Sequence, residues 1–497
     1  MNSEDEPLLS SYFVPPPYFA TVMGDTAHPH SNVVFAPRGG GKTAQRLMIE
    51  LQSETVNFLC ITYDLTELPP EASLDGANWE FHISHICRRI LLAILVAIEE
   101  DRFQVELLDL VQRALLVDLV RKHLGTLSEQ EFKWGLAAVK TFGDKASDIW
   151  RKYGGVIALT ISALMAKVGL GAQSLEGIQG SLALRDDSLR NNFERLVEIV
   201  RSLGFTSLYV LVDKVDESSL TRGDARRSFD YVKALLTDLP TLETRGVAFK
   251  FFLWDQLAPM LATEGGRPDR IPQVMLHWTQ DELKQMLSQR LSTYSSGAVT
   301  SLNQMLCPDS VVDLDTLAVY MGAVSPRNVI RFAGAVASEA TRVGPVSCIS
   351  DGAVWSAVSQ FAKDISAEIA ASYISDIRRA RRVSFTINYL ANDVFRTTSQ
   401  AAGNKVRAWE NAGLVKRIGE VPSPGNRPML LFAISDIRIA ITAIPEFAPV
   451  ALIDVYAKVC PNCGALLITQ EATVICSSCG SDFSVETLQS LLDVCSR

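Results

Sequence analysis

Three consecutive glycines followed by a lysine and a threonine form the segment of this sequence best suited to chemistry. The segment consists of Ala36, Pro37, Arg38, Gly39, Gly40, Gly41, Lys42 and Thr43. Glycines leave backbone N–H groups uncovered, so such a loop can surround phosphate oxygens. The lysine reaches the β- and γ-phosphates and the threonine hydroxyl can hold Mg²⁺. We therefore predict that this segment binds ATP with Mg²⁺, although alanine replaces the usual first glycine.

An acidic cluster follows a second apolar run and completes the candidate chemistry. Residues 208–212 are apolar and Asp213 comes directly after them, at the carboxyl end of a predicted buried strand. A phosphate-binding loop needs a carboxylate there to orient Mg²⁺ and its waters, which predicts this role for Asp213. Asp216 and Glu217 are rival candidates for the acid that polarises the attacking water. The alternative is that these two acids only cap the next helix.

Four cysteines near the C-terminus have the spacing of a metal site. Cys460 and Cys463 form one CxxC pair, Cys476 and Cys479 form the other, and a glycine follows each pair. Two such pairs provide the four thiolates of a structural Zn²⁺ site, so we predict a zinc ribbon. The other cysteines are scattered at Cys60, Cys87, Cys307, Cys348 and Cys495. This usage favours a reducing, cytoplasmic compartment over a disulfide framework.

Strands that alternate with helices must position the glycine loop and Asp213. The apolar patterns predict strands at 31–35, 56–64, 208–213 and 247–254, with helices from the loop to about 51 and from 187 to 203. This alternation indicates an α/β fold with a parallel sheet. A helical pattern over 79–153 belongs to a long insertion, 79–185, whose role we leave unassigned.

Helices dominate the chain after residue 276. Thr279 and Glu282 form a capping-box pattern that begins a helix running to about Tyr294, and Ser325 with Pro326 marks another helix start. With 497 residues the chain should contain several domains. We predict an ATPase core at 1–275, a helical lid at 276–350, a winged-helix domain at 351–450 and the zinc ribbon at 451–497.

The order of these parts resembles the origin-recognition branch of AAA+ ATPases and also the STAND signalling ATPases. The resemblance covers most of residues 15–440. It implies that Asp255 is a sensor near the γ-phosphate and that Arg327 reaches the phosphates from the lid. It also implies that Arg267 and Arg270 could act as an arginine finger on a neighbouring subunit of a homo-oligomer. The alternative for each arginine is an ordinary surface ion pair.

Residues 383–435 resemble a winged helix, in which a helix at about 399–410 would contact DNA. The implied DNA-contacting residues are Gln400, Asn404, Lys405, Arg407 and, at the wing tip, Arg427. Arg378, Arg379, Arg381 and Arg382 form a basic cluster just upstream. A net charge of −9 means that any nucleic-acid surface must be local. The alternative is a winged helix that contacts only protein.

The predicted molecule is an α/β P-loop ATPase with a helical insertion, a helical lid, a winged helix and a C-terminal zinc ribbon. Its predicted function is an ATP-driven switch that engages DNA. Analogy with bacterial proteins of this arrangement suggests antiviral defence or a mobile element. The alternative is a nucleotide-gated signalling or scaffold module that recruits a protein effector. Membrane association is disfavoured, because the most apolar stretch, 154–164, is too short to span a bilayer.

Overall fold

The computed structural model describes residues 4, 6–66, 74–99, 105–125, 127, 166, 188–422 and 428–497. The chain forms two compact units. The first contains residues 1–10 and 15–277, and the second contains residues 11–14 and 278–497. The finer division into lid, winged-helix and ribbon domains stays a prediction.

A parallel five-stranded sheet organises the first unit and confirms the predicted α/β fold. Its strands are β1 (Asn32–Ala36), β2 (Leu59–Asp64), β3 (Leu208–Asp213), β4 (Val247–Trp254) and β5 (Gln273–Met275). Their spatial order is β2-β3-β4-β1-β5, and every neighbouring pair is parallel. All carboxyl ends therefore share one edge of the sheet, the edge from which the glycine loop begins. The four strands β1 to β4 are almost continuously buried, as parallel strands covered on both faces must be.

Helices accompany the sheet, and those from residue 79 onward contribute side chains to the hydrophobic core of this unit. They are α1 (Leu9–Tyr12), α2 (Phe19–Met23), α3 (Lys42–Val56), α4 (Trp79–Glu99), α5 (Leu110–Leu124), α6 (Leu189–Ser202), α7 (Ala225–Leu236), α8 (Leu239–Leu242) and α9 (Ala258–Thr263). α3 runs five residues beyond its predicted end, and β2 begins at Leu59 rather than at residue 56. The boundary differs because Asn57, in a left-handed conformation, ends the helix.

Within the predicted insertion, the described residues form two helices separated by a short 3₁₀ turn at Val105–Leu107. Among the described residues, α4 is the helix long and apolar enough to cross a membrane, and 78% of its most apolar window is buried in the protein. Its side chains belong to the core of the first unit. The stretch 154–164 lies outside the described residues.

The second unit begins with helices in the region predicted as a lid. They are α10 (Gln280–Tyr294), α11 (Leu314–Gly322) and α12 (Pro326–Ala340), with a 3₁₀ turn at Leu302–Met305. The next helix, α13 (Asp351–Ile369), lies in the region predicted as the winged-helix domain. Thr279 and Glu282 form the predicted capping box at the start of α10. Pro326 is the first residue of α12, whereas Ser325 makes no side-chain capping hydrogen bond there.

After α13, a three-stranded antiparallel sheet and four helices follow in the region predicted as a winged-helix domain. Its elements are α14 (Ile374–Ala380), β6 (Ser384–Thr386), α15 (Ile387–Tyr389), α16 (Ser399–Asn411), β7 (Val415–Val421), β8 (Met429–Ile434) and α17 (Ile437–Ala443). A π-helical turn, Leu390–Phe395, continues α15. The strands are ordered β6-β8-β7. The wing tip, 423–427, lies outside the described residues.

Two small hairpins carry the C-terminal cysteine pairs. They follow α18 (Pro449–Tyr456) and consist of β9 (Ala457–Val459) with β10 (Leu466–Ile468), and β11 (Thr473–Ile475) with β12 (Asp482–Ser484). A 3₁₀ turn at Val485–Thr487 and α19 (Leu491–Val494) end the chain.

One cysteine pair departs from the sequence-based interpretation. Cys307 and Cys348 are joined by a disulfide, although we expected both to be free thiols. Backbone pairing explains their approach, because the N–H of Cys307 donates to the carbonyl of Ile349 at 3.0 Å and the N–H of Ile349 donates to Met305 at 2.8 Å. The bridge therefore fastens the loop before α11 to the start of α13.

Candidate functional site

The glycine loop joins the carboxyl end of β1 to the first turn of α3. Gly39 and Gly41 have φ angles of 75° and 98°, the left-handed region that side chains disfavour. A Cβ at Gly40 would lie 2.9 Å from the carbonyl oxygen of Pro37, so the loop closes too tightly for any side chain there. The backbone curls around a space that opens onto the N-terminus of a helix, which favours an anion.

Lys42 folds back onto the start of its own loop. Its Nζ donates to the carbonyl oxygens of Ala36 at 2.9 Å and Pro37 at 3.2 Å. Burial lowers the pKa of its ammonium group, against the opposing effect of nearby carboxylates led by Asp216 and Asp213. A buried lysine paired only with neutral carbonyls is well prepared to exchange them for phosphate oxygens.

Thr43 and Asp213 meet across the sheet edge. The hydroxyl of Thr43 donates to Oδ2 of Asp213 at 3.1 Å, and the carboxylate is 1% exposed. The two oxygen ligands expected for Mg²⁺ thus converge in a nearly dry position at the helix start, and their chemistry suits a hard cation. The structure brings these two residues together as the sequence predicted, while their role toward a metal stays a prediction.

Arg46 is a site residue that the sequence interpretation missed. Its side chain is fully buried, and its Nε donates to Oδ2 of Asp213 at 2.9 Å. Its terminal nitrogens donate to Glu50, one turn along α3, and to Glu4. Those carboxylates outweigh burial and raise the pKa of the guanidinium. The arginine–glutamate spacing of four residues was the available signal, whereas pairing with Glu4 and Asp213 depends on the fold.

Lys214 directly follows Asp213 at the carboxyl end of β3. Its Nζ lies 2.9 Å from Oδ2 of Asp64 and 2.8 Å from Oε2 of Glu4. Asp64 ends β2 and pairs in register with Asp213, so it lies on the side of β3 away from β4 and β1. The side chain at position 214 therefore points away from the phosphate loop. Hydrogen bonds from Thr66 and Lys214 lower the pKa of Asp64 despite its burial.

The rival acids after β3 differ in environment. Asp216 is 6% exposed and its Oδ2 accepts a hydrogen bond from Nε of Arg38, on the glycine loop, at 2.8 Å. Glu217 is exposed on the same turn. Neither acid is the N-cap of α7, because Asp224 holds that position. Asp216 is thus hydrogen-bonded to the glycine loop, whereas the exposed Glu217 acts on Lys42 as one of the nearby carboxylates that raise its pKa.

The pairing of β1 with β4 places Asp255 beside the glycine loop. Residues Ala36 and Trp254 are partners in the β1–β4 register, so Asp255 follows directly at the same sheet edge as Pro37. Its carboxylate is one of the groups that raise the pKa of Lys42. The location suits the proposed sensor near the γ-phosphate.

Arg267 and Arg270 lie at the opposite edge of the sheet. They precede β5, whose Gln273 pairs with Val33 near the start of β1, so they are roughly one strand length, about 15 Å, from the chain's own glycine loop. Arg267 pairs with Asp269 and Arg270 with Glu243, at 2.7 Å each. Arg270 also lines a polar cavity of about 360 Å³. Neither serves this chain's own phosphate loop, and an action on a neighbouring subunit stays a prediction.

Arg327 is exposed in the first turn of α12, in the second unit. Arg327 and the glycine loop belong to different units, and the approach of Arg327 to the phosphates stays a prediction.

The helix α16 presents a polar face with the predicted DNA contacts. Gln400, Asn404 and Arg407 are exposed and spaced by four and three residues, which places them on one face, while Trp409 is buried on the other. Lys405 is less available to DNA, because its Nζ forms an ion pair with Asp376. Arg427 lies outside the described residues.

The four arginines of the upstream cluster are exposed and make different kinds of contact. Arg378 donates to the carbonyl of Thr442 at 3.2 Å, and Arg381 lies 3.6 Å from Glu446. Arg379 and Arg382 stack on aromatic rings, 4.7 Å from Phe395 and 4.2 Å from Tyr389. The terminal nitrogens of Arg379 are engaged, since Nη2 donates to the carbonyl of Val394 at 3.2 Å and Nη1 lies 3.8 Å from Asp376. Stacking leaves the terminal nitrogens of Arg382 available to an anionic partner, and both arginines keep their positive charge.

The cysteines of the two hairpins converge on one point. The Sγ atoms of Cys460 and Cys479 are 3.7 Å apart, those of Cys463 and Cys476 are 3.6 Å apart, and all four lie within 4.8 Å of one another. A tetrahedron with Zn–S bonds of roughly 2.3 Å has edges of roughly 3.8 Å, so the four residues fit Zn²⁺.

The two cysteine turns have the same backbone geometry. Gly464 and Gly480, one residue after each pair, have φ angles of 70° and 74°. Their N–H groups donate to the carbonyls of Cys460 at 2.9 Å and Cys476 at 2.8 Å. This turn aims both sulfur atoms of a pair at one position.

No protein-family model and no curated protein matches the chain. Among solved structures, it is similar to the ORC1 protein of Aeropyrum pernix in complex with DNA, with 12% identity, a TM-score of 0.37, and coverage of 88% of this chain and 90% of that chain. It is also similar to the ADP form of ORC2 from Aeropyrum pernix, with 14% identity, a TM-score of 0.34, and coverage of 90% and 94%. A structure of the same ORC2 with ADPNP and ADP shows 12% identity, a TM-score of 0.31, and coverage of 89% and 98%.

Proposed function

We propose that the protein is an ATP-binding and ATP-hydrolysing switch of the AAA+ type that engages DNA through its winged helix. The observation that carries the proposal is the meeting of Lys42, Thr43 and Asp213 at the carboxyl edge of a parallel sheet. A glycine loop, a buried lysine and a hydroxyl–carboxylate pair are the set that phosphoryl transfer requires. The strand order, with β4 between β1 and β3, adds Asp255 and Asp216 to the same edge.

In this proposal each residue of the nucleotide site has a distinct role. The loop amides and Lys42 bind the β- and γ-phosphates, and Thr43 and Asp213 hold Mg²⁺, which supplies charge neutralisation when bound. Asp216 polarises the attacking water, because it is the buried acid of its turn and is hydrogen-bonded to Arg38 of the glycine loop. Arg46 orients Asp213 and balances its charge, since a buried carboxylate needs a cationic partner.

The DNA part of the proposal rests on the polar face of α16 and the stacked arginines beside it. Gln400, Asn404 and Arg407 offer groups that bind base edges or phosphates, and Arg379 and Arg382 add positive charge. In a chain with a net charge of −9, this local basic surface is the part suited to an anionic polymer. Zn²⁺ held by the four cysteines would stabilise the adjoining hairpins and take no part in catalysis, because all four ligand positions come from the protein.

The finer assignments stay part of the proposal. We propose a cytoplasmic homo-oligomer in which Arg267 or Arg270 serves a neighbouring subunit, with no membrane attachment. Membership of the origin-recognition or STAND branches rests on the order of motifs in the sequence. A role in antiviral defence or in a mobile element rests on analogy alone.

A second candidate function is favoured by the ion pair between Lys405 and Asp376. This pair removes one of the predicted DNA contacts from the polar face of α16. In the second reading, the winged helix and the zinc ribbon recruit a protein effector, and ATP only holds a conformation. Lys214, which replaces the usual glutamate, would then slow hydrolysis.

A salt-dependent DNA titration of the intact protein with ATP distinguishes the two functions. We expect the affinity for duplex DNA to fall as salt rises, and Arg407→Gln to lower the salt slope by about one. Arg226→Gln is the matched control, because Arg226 is similarly exposed but paired with Asp230 and Glu264 in the first unit. Absence of salt-dependent affinity for duplex DNA would contradict the DNA proposal and favour an effector.

A further inference from the structure

The side chain of Arg38 lies in a slot made by three parts of the first unit. Its guanidinium carbon is 4.3 Å from the centre of the Trp254 ring, at the end of β4. Its Nε donates to Oδ2 of Asp216, on the turn after β3. On the third side, a Cβ at Gly223 would lie only 2.7 Å from Nη2 of Arg38, so a larger residue at 223 would displace the guanidinium. One side chain therefore joins the glycine loop to the carboxyl ends of β4 and β3.

Most hydrogen-bond donors of Arg38 remain available. A guanidinium carries five N–H groups, and only the Nε–H is used for Asp216. Within the part of the chain that the structure describes, Nη1 and Nη2 have no acceptor. The side chain is 49% exposed. Arg46, by contrast, is fully buried and bonds three carboxylates, so it has no capacity for a ligand.

Asp216 is held on two sides in the same slot. Its side chain is 7% exposed, and its backbone carbonyl accepts a hydrogen bond from the N–H of Gly223 at 3.1 Å. The loop between β3 and α7 is thus closed on itself, and the carboxylate projects toward Arg38. A movement of Arg38 would move this carboxylate, because the described residues offer Asp216 no other side-chain hydrogen bond or ion pair.

We propose that Arg38 binds the terminal phosphate of ATP through its terminal nitrogens while its Nε keeps Asp216 beside that phosphate. The inference rests on the proposed ATPase function. It assigns a role to the side chain of Arg38, in addition to the phosphate binding by the loop amides. The planar fork of arginine holds donors on separate nitrogens in a fixed geometry, whereas all donors of lysine leave one nitrogen and fix neither acceptor's position. Arg38 would thereby distinguish ATP from ADP and make the position of the water-polarising acid depend on the γ-phosphate.

The test compares Arg38→Gln and Arg38→Lys in the full-length protein, with ATP and ADP affinities measured separately from turnover. We expect Arg38→Gln to weaken ATP binding by about tenfold, to leave ADP binding within about twofold, and to lower kcat by about a hundredfold. Arg38→Lys should regain most of the ATP affinity, because the charge returns, yet keep kcat at least about tenfold low. Arg226→Gln serves as the control for loss of an exposed arginine, and thermal unfolding verifies that each variant is folded.

Two results would overturn the inference. One is an unchanged ratio of ATP to ADP affinity in Arg38→Gln. The other is full recovery of kcat in Arg38→Lys, which would show that charge alone suffices. A wild-type protein that binds ATP without turnover would contradict the hydrolysis proposal instead, and the ATP-to-ADP affinity ratio would still decide the role of Arg38.

Discussion

At the scale of single residues, the chemistry of the site depends on pairs that are far apart in the sequence. The glycine loop, Lys42, Thr43 and Asp213 were predictable, because their types and spacing follow from what phosphate and Mg²⁺ require. The bonds from Arg38 to Asp216 and from Arg46 to Asp213 span 178 and 167 positions. No local pattern encodes such distances, so the environment of each acid emerges only from the strand order.

The choice between the two acids after β3 is a residue-scale prediction. Asp216→Asn should lower turnover by about a hundredfold or more while ATP affinity stays unchanged, because the amide keeps its size but cannot accept a proton. Glu217→Gln is the matched control and should turn over at nearly the wild-type rate, since Glu217 is exposed. Single-turnover hydrolysis assays measure both. Normal turnover in Asp216→Asn with loss in Glu217→Gln would reverse the assignment.

At the scale of elements, strands and helices were predicted well where apolar periodicity is strong. The strands β1, β3 and β4 begin within a residue of the predicted positions, because they are buried on both faces. The helical pattern after Trp79 was less informative, since it did not indicate the break between α4 and α5. The disulfide between Cys307 and Cys348 was missed, because its loop and α13 approach one another only in the folded unit.

A buried lysine within β4 predicts a pH dependence of stability. Lys250 is fully buried with its Nζ 2.9 Å from the carbonyl oxygen of His30, and burial lowers its pKa to about 7. The unfolded chain therefore holds an extra proton between pH 7 and the ordinary lysine pKa of about 10.5, so stability rises with pH in this window. The expected slope is about 1.4 kcal/mol per pH unit at its steepest.

Lys250→Met should remove this slope. Denaturant unfolding of both proteins at several pH values from neutral to alkaline measures it, and Lys363→Met, at an exposed position of α13, provides the control. Parallel stability curves for the wild type and Lys250→Met would show that Lys250 is charged in the folded protein.

The two cysteine hairpins predict a metal-dependent element. The purified protein should carry about one zinc ion per chain, and Cys463→Ser should lose it, because three thiolates hold the ion less tightly than four. Metal analysis with limited proteolysis would also reveal loosening of the hairpins after α18. Cys495→Ser is the matched control, since Cys495 is buried but lies outside the four-cysteine cluster. Zinc-free protein from a chelator-free purification would contradict the site.

At the scale of the whole molecule, the proposal joins a nucleotide site in the first unit to a DNA-engaging surface in the second. The sequence indicated both from separate motifs, and the α/β sheet is confirmed. The subunit number, the effector and the trigger depend on partners, for which a single chain has no local signal. The proposals on these points all presuppose that the first unit binds ATP.

Nucleotide affinity is the measurement that tests this central claim most directly. Binding of ATP with Mg²⁺ to the intact protein should be saturable, and Lys42→Ala should weaken it by about a hundredfold or more, because charge-assisted bonds to two phosphates worth roughly 3 kcal/mol are lost. Lys233→Ala, which removes an exposed lysine paired with Glu264 in the same unit, should bind as the wild type does. Equal ATP affinity in Lys42→Ala and the wild type would contradict the assignment of the phosphate-binding loop.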